Sequence, residues 1–257
     1  MSITAILEWK FSPPAYFEEP LEFCRDGCKV TIADGRVEAC LDASILDKDP
    51  SIPERLQNAV ISRFLAAQLI NQKTYNLSPN PTITRLEPDG RRTVSVQITG
   101  QAMIIVANSA DTRILDKDGK VVSDSRQERI AKRNRLAELA ERHDSDPLLR
   151  RLVRSFDAAM NDLHNELTHL YEIRDALKKK FGNDRAAQCA LSISKSQWTR
   201  LGKLANDEPL RQGRHRGLHA SSLRDATKCE LEDARAIARS MVEAYLLYLE
   251  KPPRVGG

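Results

Sequence analysis

The sequence predicts an α+β protein, a strand-hairpin module followed by an all-α helical bundle, and three observations carry that prediction. Alternating apolar runs joined by Asp-Gly recur as far as Val122. From Ser125 onward helix formers dominate and apolar residues recur at helical spacing. Charge divides at the same place: residues 1–125 carry 14 Lys and Arg against 17 Asp and Glu, net −3, whereas 126–257 carry 26 against 19, net +7. The expected domains are therefore 1–125, a sensor or recruitment module, and 126–257, a helical bundle.

In the first half, Ile3 to Trp9 is an apolar run stopped by Ser12-Pro13-Pro14. Cys28–Ala33 and Arg36–Leu41 alternate on either side of Asp34-Gly35, which predicts a hairpin. Thr82–Leu86 and Thr93–Ile98 predict a second around Pro88-Asp89-Gly90. Met103–Ala107 and Arg113–Leu115 add a third signal, turning at Asp118-Gly119 into Val121-Val122. Between the first two, Ser51-Ile-Pro-Glu54 has the form of a capping box and opens a helix whose stripe is Leu56, Val60, Phe64 and Ala67. Asp116-Lys-Asp-Gly119 lacks the closing carboxylate of a calcium loop and reads as a turn.

In the second half, Asp124 or Ser125 can cap a charged helix over 126–142, ended by His143-Asp-Ser-Asp-Pro147. Leu149, Leu152, Val153, Phe156, Met160, Leu163, Leu167, Leu170, Ile173 and Leu177 keep one helical phase. They fit one long helix or two broken near Asn161-Asp162. Short helices follow over 185–191 and 197–205, and a long one over 226–250.

Several chemistries find no residues. No run is long and apolar enough for a membrane span and no leader pattern opens the chain, so a cytoplasmic protein is expected. Five cysteines, Cys24, Cys28, Cys40, Cys189 and Cys229, are expected to be free thiols without a metal site. His164-Asn-Glu-Leu-Thr-His169 spaces its histidines five apart, where a shared helix face for zinc needs four. What remains is a polar stripe of Asn165, His169, Glu172 and Asp175 or Ala176, facing away from the leucines. Such a stripe is ordinarily solvated and gains interest only if another helix brings cations to it. No glycine-flanked nucleophile, phosphate loop or dinucleotide fingerprint occurs, and no cofactor is expected.

The remaining candidate is basic. Residues 195–219 hold Lys195, Arg200, Lys203, Arg211, Arg214 and Arg216 against Asp207 and Glu208, with His215 and His219 besides. Guanidinium groups clamp phosphate oxygens, and an imidazole moves protons near neutral pH. Lys203, Arg211 and Arg216 are the expected nucleic-acid contacts.

Within this stretch Arg214-His215-Arg216-Gly217-Leu218-His219, placed ahead of the last helix of a bundle, resembles the signature of the HEPN superfamily of helical RNA-cleaving and nucleotide-binding domains. The resemblance covers about 145–250. It implies RNA as partner, metal-independent endoribonuclease chemistry, a homodimer, and a bacterial stress or anti-phage setting. It further implies that His219 acts as general base or acid, Arg214 holds the scissile phosphate, and His215 orients them. The departure is that Ser221 stands where one subgroup has Tyr. Two other readings stay open: a non-catalytic helical module that dimerises or binds a nucleotide or protein partner, and a helix-turn-helix over 185–205 presenting Trp198, Arg200 and Lys203 to DNA.

Overall fold

The computed structural model describes residues 3–87, 92–95, 113–115, 121–214, 216 and 222–251. The chain is α+β and divides into two compact units, Met1–Phe64 with Lys73–Ala131, and Leu65–Gln72 with Lys132–Gly257.

The first unit contains β1 (Thr4–Ser12), β2 (Leu21–Arg25), β3 (Cys28–Ala33), β4 (Arg36–Asp42), β5 (Asn76–Leu77), β6 (Thr82–Leu86) and β7 (Arg92–Ser95). The short helix α1 (Ala43–Lys48) and the first two thirds of α2 (Ile52–Asn71) belong with them. The strands form one antiparallel sheet in the order β2-β3-β4-β1-β6-β7, with β5 also paired to β1. Alternation decides which face is covered: Ala5, Leu7 and Trp9 of β1 pair with Leu41, Ala39 and Val37 of β4, and all six are buried. Phe11, Tyr16, Phe17, Phe64 and Tyr75 close the core as a cluster of edge-on and stacked rings. A separate pair, β8 (Arg113–Leu115) with β9 (Val121–Asp124), completes the strands.

The Asp34-Gly35 hairpin is present, with both residues at positive φ, 49° and 79°. β2 and β3 form another hairpin of the same kind. Its turn, Asp26-Gly27, has φ of 52° and 74°, a second Asp-Gly hairpin signal in the sequence beside Asp34-Gly35. β6 pairs with β7 as expected, while Pro88-Asp89-Gly90, Met103–Ala107 and the Asp118-Gly119 turn lie outside the described residues.

The second unit holds most of α3 (Ser125–Arg142), then α4 (Pro147–Asn161), α5 (Glu166–Phe181), α6 (Asp184–Leu191), α7 (Lys195–Gly202) with a wide π turn over Lys203–Asp207, and α8 (Lys228–Leu249). The long apolar phase is thus two helices, with α4 ending at the Asp162 C-cap. Asp146 caps α4 through the Leu149 amide at 2.7 Å and accepts from the buried Tyr245 hydroxyl of α8; burial and this carboxylate push the Tyr245 phenol above its ordinary range. α8 packs against α4, α5, α6 and α7, burying Ala234, Ile237, Ala238, Met241, Val242, Tyr245 and Leu246 on one face. Among the described residues no helix is long and apolar enough to cross a membrane.

Candidate functional site

The basic turn is held from below by backbone geometry. The π turn leaves the Ala205 carbonyl to accept the Arg214 amide at 2.8 Å, and Leu210 accepts the Gly213 amide at 3.0 Å. Gly213 makes a close approach at this crossing: a Cβ there would lie 3.0 Å from the Ala205 oxygen and 3.2 Å from that of Leu210, so a side chain would push the two stretches of backbone apart. Arg224 ties the far end, its amide donating to Pro209 and its carbonyl accepting from Arg211, both at 3.0 Å. The Arg224 guanidinium is fixed in turn by Glu230, with both bonds under 3 Å.

This frame sorts the arginines. Arg214 is exposed, and its guanidinium stands 4.5 Å from the centre of the Tyr171 ring of α5, a cation–π contact that holds the side chain without neutralising it. Tyr171 is itself locked by Arg174, which donates to its hydroxyl at 2.7 Å and bonds Asp184 at 2.9 Å. Arg211 is exposed and has no side-chain partner among the described residues. Arg216 is turned inward: it donates to Gly213 O at 3.0 Å, His164 O at 2.8 Å and Asn165 Oδ1 at 2.5 Å. Lys203 lies 3.5 Å from Glu208. Of the expected catalytic set, Arg214 is described; His215 and His219 lie outside the described residues.

Sequence reasoning placed Asn165 in a polar stripe without its tie to Arg216, and missed Tyr171 and Arg224. Tyr171 sits 43 positions before Arg214 inside a continuous apolar phase, and nothing local signals that the two meet. Arg224 lies just before a capping box, where its pairing with Glu230 was the one available cue.

The helix-turn-helix reading meets a contrary geometry. α6 and α7 are present, Ser192 takes the left-handed conformation between them, and Ser194 opens α7 with a full capping box. Yet Trp198 is buried at 1 % exposure, because its position in α7 faces the core. Arg200 is paired with Asp233 at 2.8 Å. The second helix therefore presents neither as a free base-reading side chain.

All five cysteines are free thiols, and burial, ahead of nearby carboxylates, raises the pKa of the Cys28 and Cys40 thiols. Among the described residues no group of three His, Cys, Asp or Glu side chains is arranged to hold a metal ion. Compared with protein-family profiles, with curated proteins and with solved structures, the chain finds no match.

Proposed function

We propose that the helical unit is a HEPN-like RNA-binding domain that cleaves RNA without a metal, in the cytoplasm and in a bacterial stress or anti-phage response. The single observation that carries this is Arg214: an exposed guanidinium, steadied on the Tyr171 ring and without a carboxylate partner among the described residues, on a turn pinned by its own backbone. A surface arginine braced this way is prepared for an anion, and phosphate is the anion its planar fork fits.

In the proposed reaction His219 takes the proton of a ribose 2′-hydroxyl. The 2′-oxygen then bonds to the adjacent phosphorus, the bond from phosphorus to the 5′-oxygen breaks, and that oxygen takes a proton from the imidazolium or from water. Arg214 offsets the charge that builds on the phosphoryl oxygens, and His215 orients the pair. Lys203, Arg211 and Arg216 belong to the proposed RNA surface, Arg216 as the tie that shapes the turn. The module over 1–125 would sense or recruit a protein partner, and the domain would act as a homodimer.

The test is incubation of purified protein with mixed RNA in EDTA. Arg214→Ala and His219→Ala should each lower cleavage by about 10²-fold or more, leaving 2′,3′-cyclic phosphate ends only in the wild-type reaction. Intact RNA, or cleavage by both variants at the wild-type rate, removes the enzyme reading. The inward Arg216 favours a second reading, in which the turn is a structural tie within a non-catalytic interaction module. Nucleotide bound without any RNA cleaved, or a stable protein partner with no RNA affinity, would select it.

A further inference from the structure

The polar stripe of α5 does receive cations from another helix. An open groove of roughly 640 Å³ runs along α4 and α5, lined by Arg150, Arg151, Arg154 and Ser155 of the first and His169 and Glu172 of the second. We infer that this groove is a second anchor for the phosphodiester backbone of single-stranded RNA. The inference rests on the RNA reading of the preceding section and extends it to a surface away from the turn.

Three features point to a backbone. First, Arg150, Arg151 and Arg154 are exposed and have no side-chain partner among the described residues. Five other arginines of the unit, Arg174, Arg200, Arg224, Arg235 and Arg239, each stand at a carboxylate, whereas these three share their lack of a carboxylate partner among the described residues with Arg211 and Arg214 of the turn. Positions 150, 151 and 154 share one solvent face, spread over about 6 Å along the helix axis, while Leu149, Leu152, Val153 and Phe156 bury the other. Second, the lining sets three arginines against one carboxylate, Glu172, which accepts from the Ser155 hydroxyl at 3.1 Å, so by count the groove keeps a net positive charge. Third, the groove is lined by no Phe, Tyr or Trp ring, its one ring being the His169 imidazole held by Asp162, and by none of the exposed large hydrophobic side chains, Ile45, Leu163 and Leu247. A protein partner ordinarily needs an apolar anchor and a bound base a stacking surface; charge alone suits a sugar-phosphate strand.

The groove is also wired to the turn. Arg216 donates to Asn165 at 2.5 Å, Asn165 donates to Asp162 at 2.7 Å, and Asp162 holds His169 Nε2 at 3.3 Å. A strand whose phosphates lie on Arg150, Arg151 and Arg154 would thus be bound next to residues that shape the turn.

The experiment measures binding of a 2′-O-methyl single strand of about 20 nucleotides, which lacks the hydroxyl nucleophile, across a salt series in EDTA. Wild type is compared with Arg150→Gln/Arg151→Gln/Arg154→Gln and with a charge-matched control, Lys179→Gln/Lys180→Gln/Arg185→Gln. Far-UV circular dichroism checks the fold of each, and unmodified RNA is assayed for cleavage in parallel. Because each phosphate neutralised on a single strand contributes about 0.7 to the slope of log K against log salt, the groove variant should lose about two units of slope. Binding near 0.1 M salt should weaken by roughly tenfold or more. The control should bind as wild type. An unchanged slope, an equal loss in the control, or tighter binding of duplex DNA or of polyglutamate overturns the groove, even if Arg214→Ala still abolishes cleavage. A selective loss of slope in a protein that cleaves no RNA supports the groove and leaves the turn's chemistry refuted.

Discussion

Gly213 and Glu166 show two ways in which one residue decides the helical unit. At Gly213 the backbone of the turn crosses the Ala205 carbonyl so closely that a Cβ would press on its oxygen at 3.0 Å. Gly213→Ala should cost about 1–3 kcal/mol through overpacking, measured by urea denaturation, and should move Arg214 off the Tyr171 ring. Glu166 is fully buried and accepts both bonds from Arg235, at 2.6 and 2.7 Å. Arg235→Met strands that carboxylate, so a loss of about 3–5 kcal/mol is expected; Glu166→Gln in the same background should return part of it. At this scale the sequence marked Arg214 because of its neighbours, but gave no hint of Glu166, which looks like any first-turn acidic residue. Only the arrival of α8 makes it a buried partner.

Among the elements, α8 is anchored at its start by Thr227 and Glu230, which exchange both bonds of a capping box, and by Arg224. Bonds from the Arg224 guanidinium, then those from the Thr227 amide and hydroxyl, hold the Glu230 carboxyl down to about 2. A folded-state pKa below the ordinary 4.5 means the anchor contributes fully above that value and is lost as pH falls toward 2. Stability should therefore decline over this window, and Glu230→Gln should flatten its share of the decline in acid titrations followed by circular dichroism. Thr227→Ala should cost about 1 kcal/mol. Helix phase, the Asp124 and Ser194 caps and the Asp34-Gly35 turn were legible because each depends on a few adjacent residues; Ser51, expected to box with Glu54, instead donates to Asp49 and accepts from Arg55. The break between α4 and α5 was legible only as one of two alternatives, near Asn161-Asp162, since the apolar phase continues across Asp162–Asn165 while the backbone does not.

For the whole molecule, the two tryptophans report on different units: Trp9 is buried in the sheet and Trp198 in the helical unit. In Trp9→Phe, the fluorescence transition of Trp198 should move to lower urea with Arg235→Met, which checks that the ion pair serves the helical unit. The sequence by itself determined the α+β class, the division of charge, the Asp34-Gly35 turn and most helix faces, and the basic stretch ahead of the last helix. All of these are periodicities or local chemistries that a short window contains. Only tertiary structure decided which cations stay available. It turned Arg216 inward to α5, paired Arg200 with Asp233, set Arg214 on Tyr171, and brought three unpaired arginines of α4 beside His169. The physical reason is that a charge is neutralised or left free by groups distant in the chain, and those distances are fixed only when the helices pack.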